Sequence, residues 1–138
     1  MSEAYTGGCA CGAIRYEKAG APIAALHCQC RQCQQRSGTG HASYVVLDRR
    51  EDLIVQGELK SWPVAGDSGN VKHNAFCPIC GSPVFVTFEA MPEVIAIHVG
   101  SLDDPSRFCP GMVTYAARAQ QWDRVGPCLK SFAEMPPG

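Results

Sequence analysis

This chain of 138 residues has no excess of basic charge and no long apolar run. Its formal net charge is −1, so no cationic field is available to attract nucleic acid or an anionic membrane surface. No apolar stretch approaches the roughly 18 residues needed to cross a bilayer. The opening Met1-Ser2-Glu3-Ala4-Tyr5-Thr6 lacks the basic-then-apolar order of a secretory signal. Long amphipathic helices are missing, as are G-x-S-x-G, P-loop and dinucleotide-binding patterns. These absences predict a cytoplasmic protein with neither a nucleic-acid nor a membrane partner. The length suits a single domain spanning residues 1–138.

What the chain does have is cysteine, nine of them, among 14 glycines and 10 prolines. A secreted chain of this size would use so many thiols as a disulfide scaffold. Here the count is odd, no leader is visible and the spacings are tight. Cys9 and Cys11 are too close in sequence to bridge each other without severe strain. Reduced thiols that bind metal are the better reading.

The rest of the sequence reads as short strands punctuated by glycine, proline and cysteine turns. Strand-forming runs fall at 13–17 (AIRYE), 23–27, 43–47 (SYVVL), 53–56 (LIVQ) and 58–64. Pro63 would place the last of these at a sheet edge. A loop is expected at 65–70 (AGDSGN), followed by runs at 71–76 and 83–88 that flank Cys77-Pro78-Ile79-Cys80-Gly81. Further strands are expected at 93–99 (EVIAIHV) and 111–115, short helical turns at 31–37 and 49–52, and a loose tail at 135–138. The fold class is mainly β, built from coiled antiparallel sheets with a zinc-knuckle hairpin.

Two metal sites are written into the spacings. A structural zinc takes four tetrahedral ligands. Cys77-x-x-Cys80-Gly81 turns two sulfurs inward and leaves backbone amides free to donate to them. Cys9-x-Cys11 is the natural complement, provided the chain curls, because side chains two apart on an extended strand are roughly 6–7 Å apart. Gly7, Gly8 and Gly12 make the curl cheap. The second cluster, His27-Cys28-Gln29-Cys30-Arg31-Gln32-Cys33, offers three thiols that wrap one face of a metal and leave a position vacant. A vacancy is the mark of a catalytic zinc site, and a small-molecule thiol is a fitting occupant. Closure of that site by His27, His41 or Cys109 would make it structural instead, and an iron–sulfur cluster is a further alternative.

A substrate that carries carboxylates needs local cations, and Arg31 and Arg36 flank the cluster. His41, His73 and His98 are candidate proton shuttles, and Tyr44, Trp62, Phe76 and Trp122 candidate pocket walls, with core packing the commoner role for each. Cys109 and Cys128 have no partner at ligand spacing.

Gly8-Cys9-x-Cys11-Gly12, then His27-Cys28-x-Cys30-Arg31-x-Cys33, then Phe76-Cys77-x-x-Cys80-Gly81-Ser82 form a combination with a precedent. It resembles the glutathione-dependent formaldehyde-activating enzymes, whose domain is shared with centromere protein V. The resemblance runs from Gly8 to Pro83, with an echo in Trp122 and in Phe132-x-x-Met135-Pro136. It implies a fold similar to the Mss4-like zinc proteins and two Zn²⁺ ions. One would be structural, on Cys9, Cys11, Cys77 and Cys80. The other would be catalytic, on Cys28, Cys30 and Cys33. It also implies a carbon–sulfur lyase or synthase acting on glutathione or a related thiol, in the manner of S-hydroxymethylglutathione formation. Two other classes compete: a non-catalytic zinc-binding or scaffold module, and a thiol redox protein that uses Cys77 and Cys80.

Overall fold

The computed structural model describes residues 3–66, 68–126 and 128–136. It holds eleven strands in two sheets and one short α-helix. Strands β1 (Tyr5–Gly8), β2 (Arg15–Lys18) and β5 (Leu53–Gln56) form a three-stranded antiparallel sheet. The others are β3 (Ala24–Cys28), β4 (Ala42–Leu47), β6 (Lys60–Ala65), β7 (Val71–Phe76), β8 (Pro83–Phe88), β9 (Ile95–His98), β10 (Met112–Thr114) and β11 (Lys130–Ser131). They form an eight-stranded sheet in the order β11-β10-β3-β4-β9-β8-β7-β6. Every pairing is antiparallel except those of β10, which runs parallel to both β3 and β11. The mainly β fold with antiparallel sheets is as expected, and β10 adds a parallel placement at this edge. Pro63 lies on β6, the outermost strand at the other edge, where its missing N–H costs no ladder bond.

Alternation along the central strands sorts side chains into two cores. Val45, Leu47, Ile95, Ile97, Val84 and Ala75 point to one face, where Tyr5, Ile14 and Tyr16 from the smaller sheet cover them. Tyr44, Val86 and Ala96 point to the other, together with Cys28, Cys33 and Ala42. Cys9 and Cys77 belong to the first core. The two cysteine groups thus belong to different cores on the two faces of one sheet, which separates their sulfur chemistry without a second domain.

Helix α1 (Arg31–Ser37) fills the expected short helical segment. It starts at Cys30, whose sulfur accepts a hydrogen bond from the Cys33 N–H at 3.3 Å, and ends at Gly38 in a left-handed cap. Two strands went unread in the sequence, together with the short turns at Val99–Ser101, Pro105–Arg107 and Ala116–Arg118. The opening strand β1 is only four residues and half glycine, and β11 is two residues long. The segment 132–134 is held by three backbone hydrogen bonds from Tyr115, Ala116 and Ala117. The expected loop at 65–70 and loose tail at 135–138 include Asp67, Pro137 and Gly138, which lie outside the described residues.

Candidate metal centres

Cys9, Cys11, Cys77 and Cys80 converge, with all four sulfurs within 4.8 Å of one another. The Cys9 and Cys11 sulfurs are 3.6 Å apart, and those of Cys11 and Cys77 are 3.8 Å apart. Four thiolates at about 2.3 Å from one zinc ion stand about 3.8 Å from each other, so the cage has the right size. The curl that brings Cys9 beside Cys11 is a turn closed by Gly12 N–H on the Cys9 carbonyl, with Gly12 at φ 83°. A side chain with a Cβ is strained there, as it would be at Gly81, φ 77°, which closes the second turn onto the Cys77 carbonyl.

Backbone donors face the sulfurs. The Ile14 N–H donates to Cys9 Sγ at 3.2 Å, and the Ile79 and Cys80 N–H groups donate to Cys77 Sγ at 3.4 and 3.5 Å. Such bonds stabilise thiolates and are the usual surroundings of a metal-ligating cysteine. Hydrogen bonds from Ser82, through its side chain and backbone, push Cys80 down to about 5. The donor set, the spacing and the charge all suit a tetrahedral zinc ion.

Cys28, Cys30 and Cys33 form the second group, again with their sulfurs within 4.8 Å. Cys28 comes from the end of β3, Cys30 from the helix cap and Cys33 from the first turn of α1, so strand end and helix start wrap one point. Hydrogen bonds from the Cys28 and Cys33 thiols push Cys30 far down, while sharing with their neighbours pushes Cys28 and Cys33 up. Thiols that share charge this closely are ligands a cation would stabilise as thiolates. The Tyr44 hydroxyl shares a hydrogen bond with Cys33 Sγ at 3.3 Å, and burial first, then the adjacent thiols, hold that hydroxyl protonated.

None of the residues weighed as a fourth ligand joins this group. His27 Nδ1 pairs with Ser43 Oγ at 2.7 Å, and His41 Nδ1 lies 3.0 Å from both oxygens of Asp123. Cys109 is exposed and outside both clusters. Among the described residues, the group thus consists of three protein sulfurs with no fourth ligand at the same spacing.

The other sequence candidates divide. His73 pairs with Glu89 at 2.8 Å on the far face of the sheet, beside a groove of about 580 Å³ that none of the seven clustered cysteines lines. His98 is buried, sits across the strand pair from Tyr44 and packs its ring 4.7 Å from the tyrosine ring. Trp122 is exposed, and Phe76 takes the Arg36 guanidinium over its ring at 5.5 Å. Arg31 is exposed and bonds Gln34 Oε1 at 2.9 Å. Two residues beside the three-cysteine group were not singled out from the sequence. Lys72 lies near enough to Cys30 and His98 to act on both charges. Thr114, paired with Cys28 in the β3–β10 ladder, presents a buried hydroxyl whose effect on the Cys28 sulfur favours the thiolate. Neither lies at ligand spacing, and only the strand register reveals them.

A mainly β protein with one four-sulfur and one three-sulfur cluster defines a narrow class of zinc-type domains. The family model described as glutathione-dependent formaldehyde-activating enzyme matches residues 4–118, and the chain belongs to that family. A crystal structure of a Rhodobacter sphaeroides protein, a structural genomics target, superposes with a TM-score of 0.57 at 24% identity. The match covers 74% of this chain and 93% of that one, and carries the fold alone. Among the described residues no helix is long and apolar enough to cross a membrane.

Proposed function

We propose that this protein is a zinc-dependent carbon–sulfur lyase or synthase acting on glutathione or a related thiol, with S-hydroxymethylglutathione as the adduct the family points to. Cys9, Cys11, Cys77 and Cys80 would hold a structural zinc, and Cys28, Cys30 and Cys33 a catalytic one. The observation that carries this reading is the three-sulfur group, whose members converge with no fourth protein ligand. Zinc held there supplies Lewis acidity, which lowers the pKa of a thiol that reaches it.

The reaction needs little beyond this and good placement. In the synthetic direction a sulfur–carbon bond forms, the carbonyl π pair moves to oxygen, and the proton given up by the thiol ends on that oxygen. The lyase direction reverses each change. The chain's residues bind, orient and exclude water. Tyr44 fixes Cys33 through its hydroxyl, and the buried Cys28 and Cys33 keep solvent from the sulfur cluster. Arg31 and Arg36 would bring the positive charge that a carboxylate of the substrate requires.

Changing Cys28 to serine in zinc-loaded protein tests the reading. Glutathione affinity and turnover of the formaldehyde adduct should both fall, with the bound metal dropping from two ions per chain to one. Unchanged turnover would remove the three-cysteine group from the mechanism. A wild-type protein that binds no small thiol yet keeps both ions would favour a zinc scaffold instead.

A further inference from the structure

Folded proteins leave few buried polar atoms unpaired, and those few tend to mark a ligand. Among the described residues, the buried side-chain nitrogens and oxygens without a partner are Gln32 Oε1, Arg36 Nε and Nη2, and Thr114 Oγ1. All three residues adjoin the same cysteine group. Thr114 stands opposite Cys28 in the strand ladder. Gln32 and Arg36 are on the helix that carries Cys33, four residues apart and therefore on one side of it.

Their chemistry is complementary in a specific way. Arg36 offers two N–H groups that require acceptors, and Gln32 offers a carbonyl that requires a donor. They do not satisfy each other, and the Gln32 amide nitrogen is already committed to the Ala65 carbonyl at 3.2 Å. Arg36 is braced over the Phe76 ring rather than by a carboxylate. Lys72, on the same side of β7 as Phe76, adds a second cation, and its charge and that of Arg36 both reach the buried His98 ring. No ion pair occupies Lys72 or Arg36 among the described residues. Arg31, by contrast, is exposed and spends its guanidinium on Gln34.

We infer that Gln32, Arg36 and Lys72 form a specificity subsite for the non-reacting end of the thiol, selecting a carboxylate that stands next to an N–H donor. This rests on the reading of the three-cysteine group as the reaction site. It narrows the substrate class to thiols of peptide or amino-acid type, in which an amide or ammonium N–H adjoins a carboxylate. The carboxylate meets Arg36 and Lys72, and the N–H meets Gln32 Oε1. Small neutral thiols have nothing to offer these groups and leave them desolvated and unpaired. Rejection of such thiols is then as much a part of the design as attraction of the right one.

S-methylglutathione separates the subsite from the metal chemistry, because its sulfur is blocked while both of its ends are intact. Calorimetric titration of zinc-loaded wild type should show binding of this probe. Arg36→Gln and Lys72→Gln should each weaken that binding about tenfold, the scale of one charge-assisted hydrogen bond. The same variants should leave 2-mercaptoethanol binding unchanged, with zinc content reporting that the fold is intact. Wild-type protein that ignores S-methylglutathione, or variants that bind it as well as wild type does, would overturn the subsite. The reaction-site reading fails separately, when Cys28→Ser leaves adduct turnover intact.

Discussion

The sulfur of Cys11 stands 3.8 Å from that of Cys77, 66 positions further along the chain. That contact joins the glycine-rich turn after β1 to the β7–β8 hairpin, and free thiols at this range contribute little by themselves. Only a shared cation makes the link strong. Structural zinc contributes an apparent binding free energy of about 10–16 kcal/mol at neutral pH, against a typical domain stability of about 5–15 kcal/mol. Cys77→Ser should therefore abolish cooperative unfolding, and a strong chelator should do the same to the unaltered protein. Thermal melts followed by circular dichroism will show it. A cooperative transition retained in both cases would mean that no metal ties the two segments together.

Cys30→Ser should behave differently. Serine is a good helix N-cap, so α1 can still start at this position. The variant should melt cooperatively, carry one zinc fewer and lose adduct turnover by a hundredfold or more, on the order of the loss when a metal site's inner surroundings are broken. Elemental analysis beside a melt and a rate assay separates these outcomes. If Cys30→Ser and Cys77→Ser proteins behave alike, the division into a closed and an open site is wrong.

Much of this was legible in the chain because cysteine at ligand spacing is a strong local signal. C-x-C followed by C-x-x-C-G, and C-x-C-x-x-C, identified both groups before any fold was known. Strand-forming runs at 43–47, 53–56, 71–76 and 83–88 match β4, β5, β7 and β8 closely, since each alternates or carries β-branched and aromatic residues. Illegible were the features set by long-range pairing. The parallel placement of β10 against β3 has no local signature, yet it alone brings Thr114 to Cys28. Lys72 likewise reaches the site only because β7 is an inner strand whose even-numbered residues face α1's side.

Thr114 offers a test that runs against intuition. Its hydroxyl is buried with no nitrogen or oxygen partner, which costs about 1–3 kcal/mol, although it favours the Cys28 thiolate; valine has nearly the same shape without that oxygen. Thr114→Val should be as stable as wild type or more stable by about 1 kcal/mol, with metal in the three-cysteine group held less tightly. Denaturant unfolding and competition against a metallochromic chelator measure the two effects. A loss of stability greater than about 2 kcal/mol would show that the hydroxyl has a structural partner in solution.

His98 carries the pH prediction. Burial first, then the nearby Arg36 and Lys72 charges, push it down to about 4 from an ordinary value of 6.5. The folded protein then holds fewer protons at this ring than the unfolded chain does between those two values, so stability rises with pH there. The contribution is fully present above pH 6.5 and is lost as the pH falls towards about 4. Its size is on the order of 3 kcal/mol, at 1.36 kcal/mol per pKa unit. Acid also protonates metal-binding thiolates, so wild type and His98→Gln should be compared at equal bound zinc, and the difference between their stability curves isolates the histidine. That difference should narrow by on the order of 3 kcal/mol as the pH drops from 6.5 to 4, because glutamine has no proton to take up. Parallel curves over this interval would show that the ring titrates no differently folded than unfolded, and that burial beside Tyr44 imposes no charge penalty.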